Sequence, residues 1–484
     1  MAETIKETLY INGTAVTSTN TKKVYNPARS KESVGEIALG SEEDVNYAVE
    51  AADLAWEQWR KTSAADRAKV LEQVANYIHE NSNELAQMLV LEHGKTVQES
   101  LGDLLGAANV LRYYSTLVDE VDKEEVVENK QGKMVLTHQS MGVVSIIVPW
   151  NYPIILGYLM LAPALLAGNT VVIKPATYCP LTLTKILKHM ASLLPKGVLN
   201  IISGSGSTVG EAMIKHPTVR KVSFTGSTEV GVSVIKNSAS TIKNLSLELG
   251  GNDAAIVLKD KDIDDHLIEE MLKGVFTACG QICYNIKRIY VQKGNYQTFV
   301  DRFIAAANLI KVGNGLNPNT TMGPLNNKPQ FDSVTTLLNE IKETDAMVNI
   351  VGEFIEETAF DDGYYVMPTV VTNVKQEDPI VQKEQFGPII PIIPFDTEEE
   401  AIQMANDTEF GLGNSVWTND VEHGFEVARK LQSGSVFVNI HRAGASGPNM
   451  PFGGFKQSGI GRGHGVEALK EQMELQAVIQ RTDM

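Results

Sequence analysis

At 484 residues the chain is too long for one ordinary core and long enough for two or three domains. Its 43% hydrophobic and 21% charged residues are those of a soluble globular protein, and a net charge of −17 argues against a nucleic-acid or anionic-membrane surface. The three cysteines, Cys179, Cys279 and Cys283, form no disulfide framework and fit a reducing, cytoplasmic setting.

Met1-Ala-Glu-Thr-Ile-Lys-Glu lacks the basic-then-apolar order of a signal peptide. Tyr10-Ile-Asn-Gly13 predicts a strand entering a tight turn, and Asn26-Pro27 a second turn. Ser41 with Asp44 three residues on predicts a capped helix start, with apolar residues at Val45, Val49, Ala52 and Trp56. Further helices are expected over about 63–81, 82–93 and 96–118, so four helices precede any strong strand. Asp119 to Gln139 is charge-rich and alternating: either a solvated hairpin or a subunit-contact arm.

From Gly142 the rhythm becomes α/β. Val143-Val-Ser-Ile-Ile-Val reads as a buried strand ended by Pro149-Trp-Asn-Tyr-Pro153. The apolar run Ile154 to Ala167 is broken by Gly157 and Pro163, so it predicts a helix and not a membrane span. Strands follow at Val171–Lys174, Val198–Ile202, Lys221–Phe224 and Leu245–Glu248, which is the pattern of parallel βαβ units in a doubly wound sheet. A second α/β unit begins beyond Gly251 and closes on glycine-rich sequence.

Several stretches carry chemistry. Gly204-Ser-Gly206-Ser-Thr-Val-Gly210 follows a strand and opens a helix whose amides suit a diphosphate, although its spacing is one residue longer than the dinucleotide fingerprint. Ser227, in Phe224-Thr-Gly-Ser227, can donate to a phosphate, and Lys174 at a strand end can reach ribose or phosphate or simply lie on the surface. Cys283 follows Gly280-Gln-Ile and is either an accessible reactive thiol or an inert one. Cys279 fits burial better. Glu248, flanked by Leu247 and Leu249, is a candidate general base if buried, since burial raises a carboxyl toward a useful range. Asn151, in a loop stiffened by two prolines, is a candidate oxyanion donor or a turn residue.

In this order the stretches resemble the aldehyde dehydrogenase superfamily. The match rests on Pro149-Trp-Asn-Tyr-Pro, Lys174-Pro, Phe224-Thr-Gly-Ser-Thr-Glu-Val-Gly231, Leu247-Glu-Leu-Gly-Gly251, Gly280-Gln-Ile-Cys283, Glu384-Gln-Phe-Gly-Pro388 and Pro451-Phe-Gly-Gly-Phe-Lys-Gln-Ser-Gly459, and extends to Leu91-Glu-His-Gly-Lys95 near the N-terminus. The resemblance implies a Rossmann-type cofactor domain (1–120 and 141–250), an α/β catalytic domain (251–450) and a small β oligomerisation element (121–140 with 451–484), in a homodimer or homotetramer. It implies that Cys283 attacks a small-molecule aldehyde, that Asn151 and the Cys283 amide hold the oxyanion, and that Glu248 activates water against the thioester. For the cofactor it implies Glu384 at the ribose, Phe386 at the nicotinamide, and Trp150, Lys174, Gly206, Gly210, Ser227 and Leu249 along the rest.

Three departures sharpen the reading. Where many members carry a Glu for the adenine ribose, Thr177 stands here, so NADP⁺ is expected to be accepted as well as NAD⁺. Met160 and Gly463 occupy the positions of a Lys and a Glu thought to pass protons on, so the proton from Glu248 is expected to leave through water or a side-chain swing, with Glu467 a possible substitute relay. Substrate walls of Tyr152, Leu156, Ile282 and Tyr284 suggest an aromatic or medium aliphatic aldehyde, while Arg442 would clamp the carboxylate of a semialdehyde or lie idle at the mouth. A coenzyme A-acylating enzyme and a catalytically silent relative are the alternatives, and no metal site is assigned. Under oxidation, Cys279 pairing with Cys283 would silence the thiol if the turn brings them together.

Overall fold

The computed structural model describes residues 5–357 and 359–481. The central scaffold is an eight-stranded sheet in the order Gly459–Ile460, Asn244–Glu248, Val219–Thr225, Val143–Ile147, Thr170–Lys174, Leu199–Ile201, Leu9–Ile11, Thr14–Val16. The five strands from 244–248 to 199–201 run parallel, and the outer ones pair antiparallel. Parallel strands need both faces covered. Val143–Val144 and Thr170–Lys174 are accordingly buried, with helices such as Glu42–Trp59 and Pro153–Leu166 packed on the sheet. The C-terminal ends of these strands deliver Pro149, Lys174, Gly226 and Glu248 to one edge, where ligands bind in such folds.

A second, seven-stranded sheet runs Met347–Ile350, Thr369–Thr372, Ile389–Phe395, Ile286–Gln292, Asp253–Val257, Gly413–Trp417, Ser435–Val438, parallel except for its first strand. It has its own core, with Trp417, Tyr290, Phe299 and Phe303 fully enclosed. Among the described residues no helix is long and apolar enough to cross a membrane.

The charge-rich excursion forms the strands Glu125–Asn129 and Gly132–Ser140, which Met473–Arg481 joins antiparallel over nine residue pairs. Thr482, expected to continue that strand, lies outside the described residues, as do Met1–Thr4. Within 451–484, the strand Gly459–Ile460 pairs with Leu247–Glu248, and the helix Gly465–Lys470 packs against the helix Pro153–Leu166. Among the described residues of this stretch, 473–481 joins the arm, while the glycine-rich stretch before it is drawn into the main sheet.

The N-terminal expectation needs a larger correction. Among the described residues five strands, including Thr21–Asn26 and Arg29–Ala38, precede the four expected helices, where the sequence predicts one at Tyr10. Their charged residues (Lys22, Lys23, Lys31, Glu32, Glu36) hide the alternation, and only positions such as Val24, Ile37 and Ala38 face the interior. The helix starts are as expected. Ser41 with Asp44 and Thr96 with Glu99 both close capping boxes, and Asn12 and Gly13 take positive φ in the first hairpin turn.

Candidate active site

Cys283 stands on a loop whose path is forced. After the helix Asp265–Phe276 the backbone takes left-handed angles at Ala278 (φ 52), Cys279 (φ 57) and Gly280 (φ 74). A Cβ on Gly280 would lie 2.3 Å from the Gly387 carbonyl, so only glycine fits. The loop is pinned from three sides: Ala278 N–H donates to Glu99 Oε1 (2.6 Å), Asn326 N–H donates to Gln281 Oε1 (2.9 Å), and Asn285 Nδ2 donates to Val275 O (3.1 Å). Cys179 and Cys279 are buried and Cys283 is half-buried, which leaves Cys283 as the most accessible of the three thiols. Its environment does not activate it at rest. Burial pushes the thiol up to about 12, and the charges of Glu384, Glu248 and Asp253 push the same way against Lys287.

Asn151 is buried and directed at this loop. Its Nδ2 donates to the Gln281 carbonyl (3.0 Å), leaving a second N–H, and its own carbonyl accepts from Lys95 Nζ (3.1 Å). Lys95 is anchored by a fully buried ion pair with Asp103 (3.0 Å), whose other oxygen accepts from Ile155 N–H (2.7 Å). The Leu91–Lys95 stretch thus holds the Pro149–Pro153 loop from behind, a role that nothing local in the sequence announces.

Glu248 ends the strand Asn244–Glu248. Its Oε2 is buried with no hydrogen-bond partner among the described residues. Burial raises the carboxyl to about 8. The Gly463 backbone and Arg462 draw it down, and Glu471 pushes it up. A neutral acid that ionises near neutral pH is suited to general-base work.

A cleft of about 230 Å³ opens beside these groups. It is lined by Trp150, Asn151, Ser227, Leu249, Cys283, Glu384 and Phe386, together with Pro149, Thr225, Gly226, Gly250, Gln330 and Ser333. Seven sequence-predicted residues thus share one wall. Ser227 caps the helix Thr228–Ser238, whose N-terminus supplies unpaired amides for a phosphate. Glu384 Oε1 accepts from Gly251 N–H (3.2 Å), and a Cβ on Gly250 would lie 2.5 Å from Oε2. Phe386 meets the Trp150 ring edge-on at 5.6 Å and is held by Gln330 Nε2 on its carbonyl (3.0 Å). Gln330 went unread because it sits on the helix Lys328–Lys342, remote in sequence from every motif.

Lys174, Thr177, Gly206 and Gly210 lie outside this lining. Gly206–Gly210 forms a wide helical turn, with Gly210 N–H donating to Ser205 O (3.1 Å), before the regular helix Glu211–Lys215. Lys174 is buried, which lowers its amine to about 8 with help from Lys22. Thr177 lines a second cleft, of about 410 Å³, with Lys22, Lys23 and Lys328. Lys22 Nζ donates to Thr177 Oγ1 (3.2 Å). That lysine comes from the N-terminal hairpin and was invisible to motif reading.

The substrate candidates scatter. Ile282 is buried, and its carbonyl accepts from Lys287 Nζ (2.6 Å). Leu156 packs on the cofactor-domain core. Tyr284 meets Phe452 edge-on at 5.3 Å, and Tyr152 carries Lys95 Nζ 3.9 Å from its ring centroid. Arg442 Nε donates to Glu270 Oε2 (2.8 Å), so the guanidinium is already partnered. Among the described residues no three His, Cys, Asp or Glu side chains gather to hold a metal ion.

A cleft at the carboxyl edge of parallel strands, with a thiol and a buried acid beside it, is an arrangement suited to covalent chemistry on a small substrate. Residues 14–478 match the aldehyde dehydrogenase family. The chain is 34% identical over 486 residues to betaine aldehyde dehydrogenase of Bacillus subtilis (strain 168), covering 99% of this chain and 98% of that one. Two crystal structures of betaine aldehyde dehydrogenase from Staphylococcus aureus in complex with NAD⁺ superpose with a TM-score of 0.94 at 34% identity, covering 99% of this chain and 95% of theirs. The chain belongs to the aldehyde dehydrogenase family, and it is an oxidoreductase that acts on aldehydes.

Proposed function

We propose that the chain oxidises an aromatic or medium aliphatic aldehyde to its carboxylic acid through a covalent intermediate on Cys283. The observation that carries this reading is the convergence of Cys283, Asn151, Glu384 and Phe386 on one cleft, with the buried carboxyl of Glu248 close enough for its charge to bear on the thiol. Cys283 sulfur attacks the aldehyde carbon, and its proton passes to a neighbouring base. The free N–H of Asn151 and the Cys283 amide hold the oxyanion of the thiohemiacetal. When bound, nicotinamide would supply the hydride acceptor; Glu384 would hold its ribose, and Phe386 and Trp150 would confine the ring. Glu248 then takes a proton from the water that cleaves the thioester.

Thr177, with Lys22 on its hydroxyl and Lys174 close by, favours acceptance of NADP⁺ beside NAD⁺, because three groups that can donate to or neutralise a 2′-phosphate meet there. For the substrate, the pairing of Arg442 with Glu270 weighs against a semialdehyde clamp. The names of the relatives raise betaine aldehyde as a second substrate. An ammonium already over one face of Tyr152 weighs against a second cation there. The exposed apolar residues of the arm, Leu475, Val478 and Ile479, suit a homodimer or homotetramer contact.

Cys283→Ala, assayed for reduced cofactor with benzaldehyde, a medium aliphatic aldehyde, succinic semialdehyde and betaine aldehyde, should lose essentially all turnover without added coenzyme A. Full turnover in that variant would overturn the mechanism.

A further inference from the structure

Behind Glu248 lies a polar line that the chemistry above does not use. Lys221, fully buried in the strand Val219–Thr225, donates from Nζ to Ser246 Oγ (2.7 Å). Ser246 donates to Glu471 Oε2 (2.7 Å), and Glu471 Oε1 accepts from the Arg462 backbone N–H (2.6 Å). Ser246 precedes Glu248 by two residues on one strand, so both side chains leave the same face of the sheet. The backbone bends tightly round the carboxylate: Gly461 has φ 86, and a Cβ there would lie 2.6 Å from Glu471 Oε2. Glu471 is half-buried, so the line runs from the sheet interior to the surface.

Glu471 is also the carboxylate whose charge bears on Glu248. Glu467, considered from the sequence, is exposed, and its charge falls instead on Tyr113 and Tyr114. The other charged groups facing this line are Arg462, and Glu474 with Arg220 (3.8 Å), which lie beside Lys221. Cys283 faces Glu248 from the catalytic domain.

We propose that Glu471 carries the proton away from Glu248, with Ser246, Lys221 and the Arg462 amide as the groups that position it. The proposal rests on Glu248 being the general base. Glu248 takes a proton from the attacking water as the new C–O bond forms. The C–S bond breaks and Cys283 leaves as thiolate. Protonated Glu248 passes its proton through one water molecule to Glu471, which releases it to solvent.

The test follows acid formation over successive turnovers at low and high concentrations of imidazole, with hydride transfer read separately in the first turnover. In Glu471→Gln, hydride transfer should be unchanged, while the rate of acid formation in later turnovers at low buffer falls about tenfold, less than the roughly 10²–10⁴-fold of direct general-base catalysis. Added imidazole should restore it, and the rise of the rate with pH should move to lower pH because a like charge has gone. Acid release that is unchanged, or slowed without rescue and without a moved profile, overturns the relay and leaves a structural clip. If Glu471→Gln does not fold, Ser246→Ala serves: it should show the same buffer dependence, and parental behaviour overturns the proposal. Glu248→Gln separates the two readings. If it retains acid release, the general base is wrong. If it loses acid release while Glu471→Gln does not, the relay alone is wrong.

Discussion

Hydrolysis of the acyl-enzyme should switch on with rising pH, and the structure gives the size of the effect. Glu248 works as a base only when ionised, and burial holds its carboxyl near 8. From that value the ionised share is about a tenth at pH 7 and about nine tenths at pH 9, so acid release should rise roughly tenfold between them. The Cys283 thiol titrates far higher, at about 12, and would distort any steady-state profile in which acylation contributes. The assay is therefore single-turnover acid formation from enzyme already acylated. A rate that stays flat between about pH 6 and pH 9 would refute the assignment of Glu248 as the base. A linked effect on stability checks the same carboxyl. Its folded value lies above its unfolded one, so its contribution to stability is complete below about 4.5 and is lost as pH rises through about 8. Glu248→Gln should thus melt like the parent below about pH 4.5 and increasingly above it as pH rises toward about 8.

Other perturbations reach the site from further away. Lys95→Met strands the buried Asp103 charge and frees the Asn151 carbonyl, so unfolding in denaturant should show a loss of about 3–5 kcal/mol, with kcat falling more than KM changes. Lys22→Ala should lower kcat/KM for NADP⁺ about tenfold and leave NAD⁺ almost untouched, and equal losses would remove Lys22 from cofactor choice. Arg442→Ala should cost similar activity on succinic semialdehyde and benzaldehyde, since its guanidinium serves Glu270, and a selective loss on the semialdehyde would restore the clamp.

The fold was legible where burial writes a plain pattern. The strands Val143–Ile147 and Thr170–Lys174 are largely enclosed on both faces, so their apolar runs stand out without alternation. Helix starts were legible because a cap is a local contract between residues three apart, as in Ser41 with Asp44. The strands Thr21–Asn26 and Arg29–Ala38 were not. Half their residues point to solvent and carry charge, and their extended form depends on pairing with each other and with Ile5–Glu7. The same reason hid Lys22, whose partner Thr177 is 155 residues away.

The site divides along the same line. Motifs located Cys283, Asn151, Glu248, Glu384 and Phe386, because each sits in a turn or strand end whose glycines and prolines mark the sequence. Their electrostatics came from elsewhere. Local chemistry suggests that a useful thiol needs a lowered proton affinity, yet burial raises that of Cys283, and the charges of Glu384, Glu248 and Asp253 push the same way against Lys287. Glu248 and Asp253 are both held near 8 and so are largely neutral at neutral pH, and burial raises Glu384 as well. The resting centre is therefore a protonated thiol among acids that are themselves partly protonated. Such a centre is poorly reactive until a base ionises, and burial, more than any neighbouring charge, sets when Glu248 does so. Reactivity here belongs to the assembled fold, whereas the identity of the nucleophile belongs to the loop.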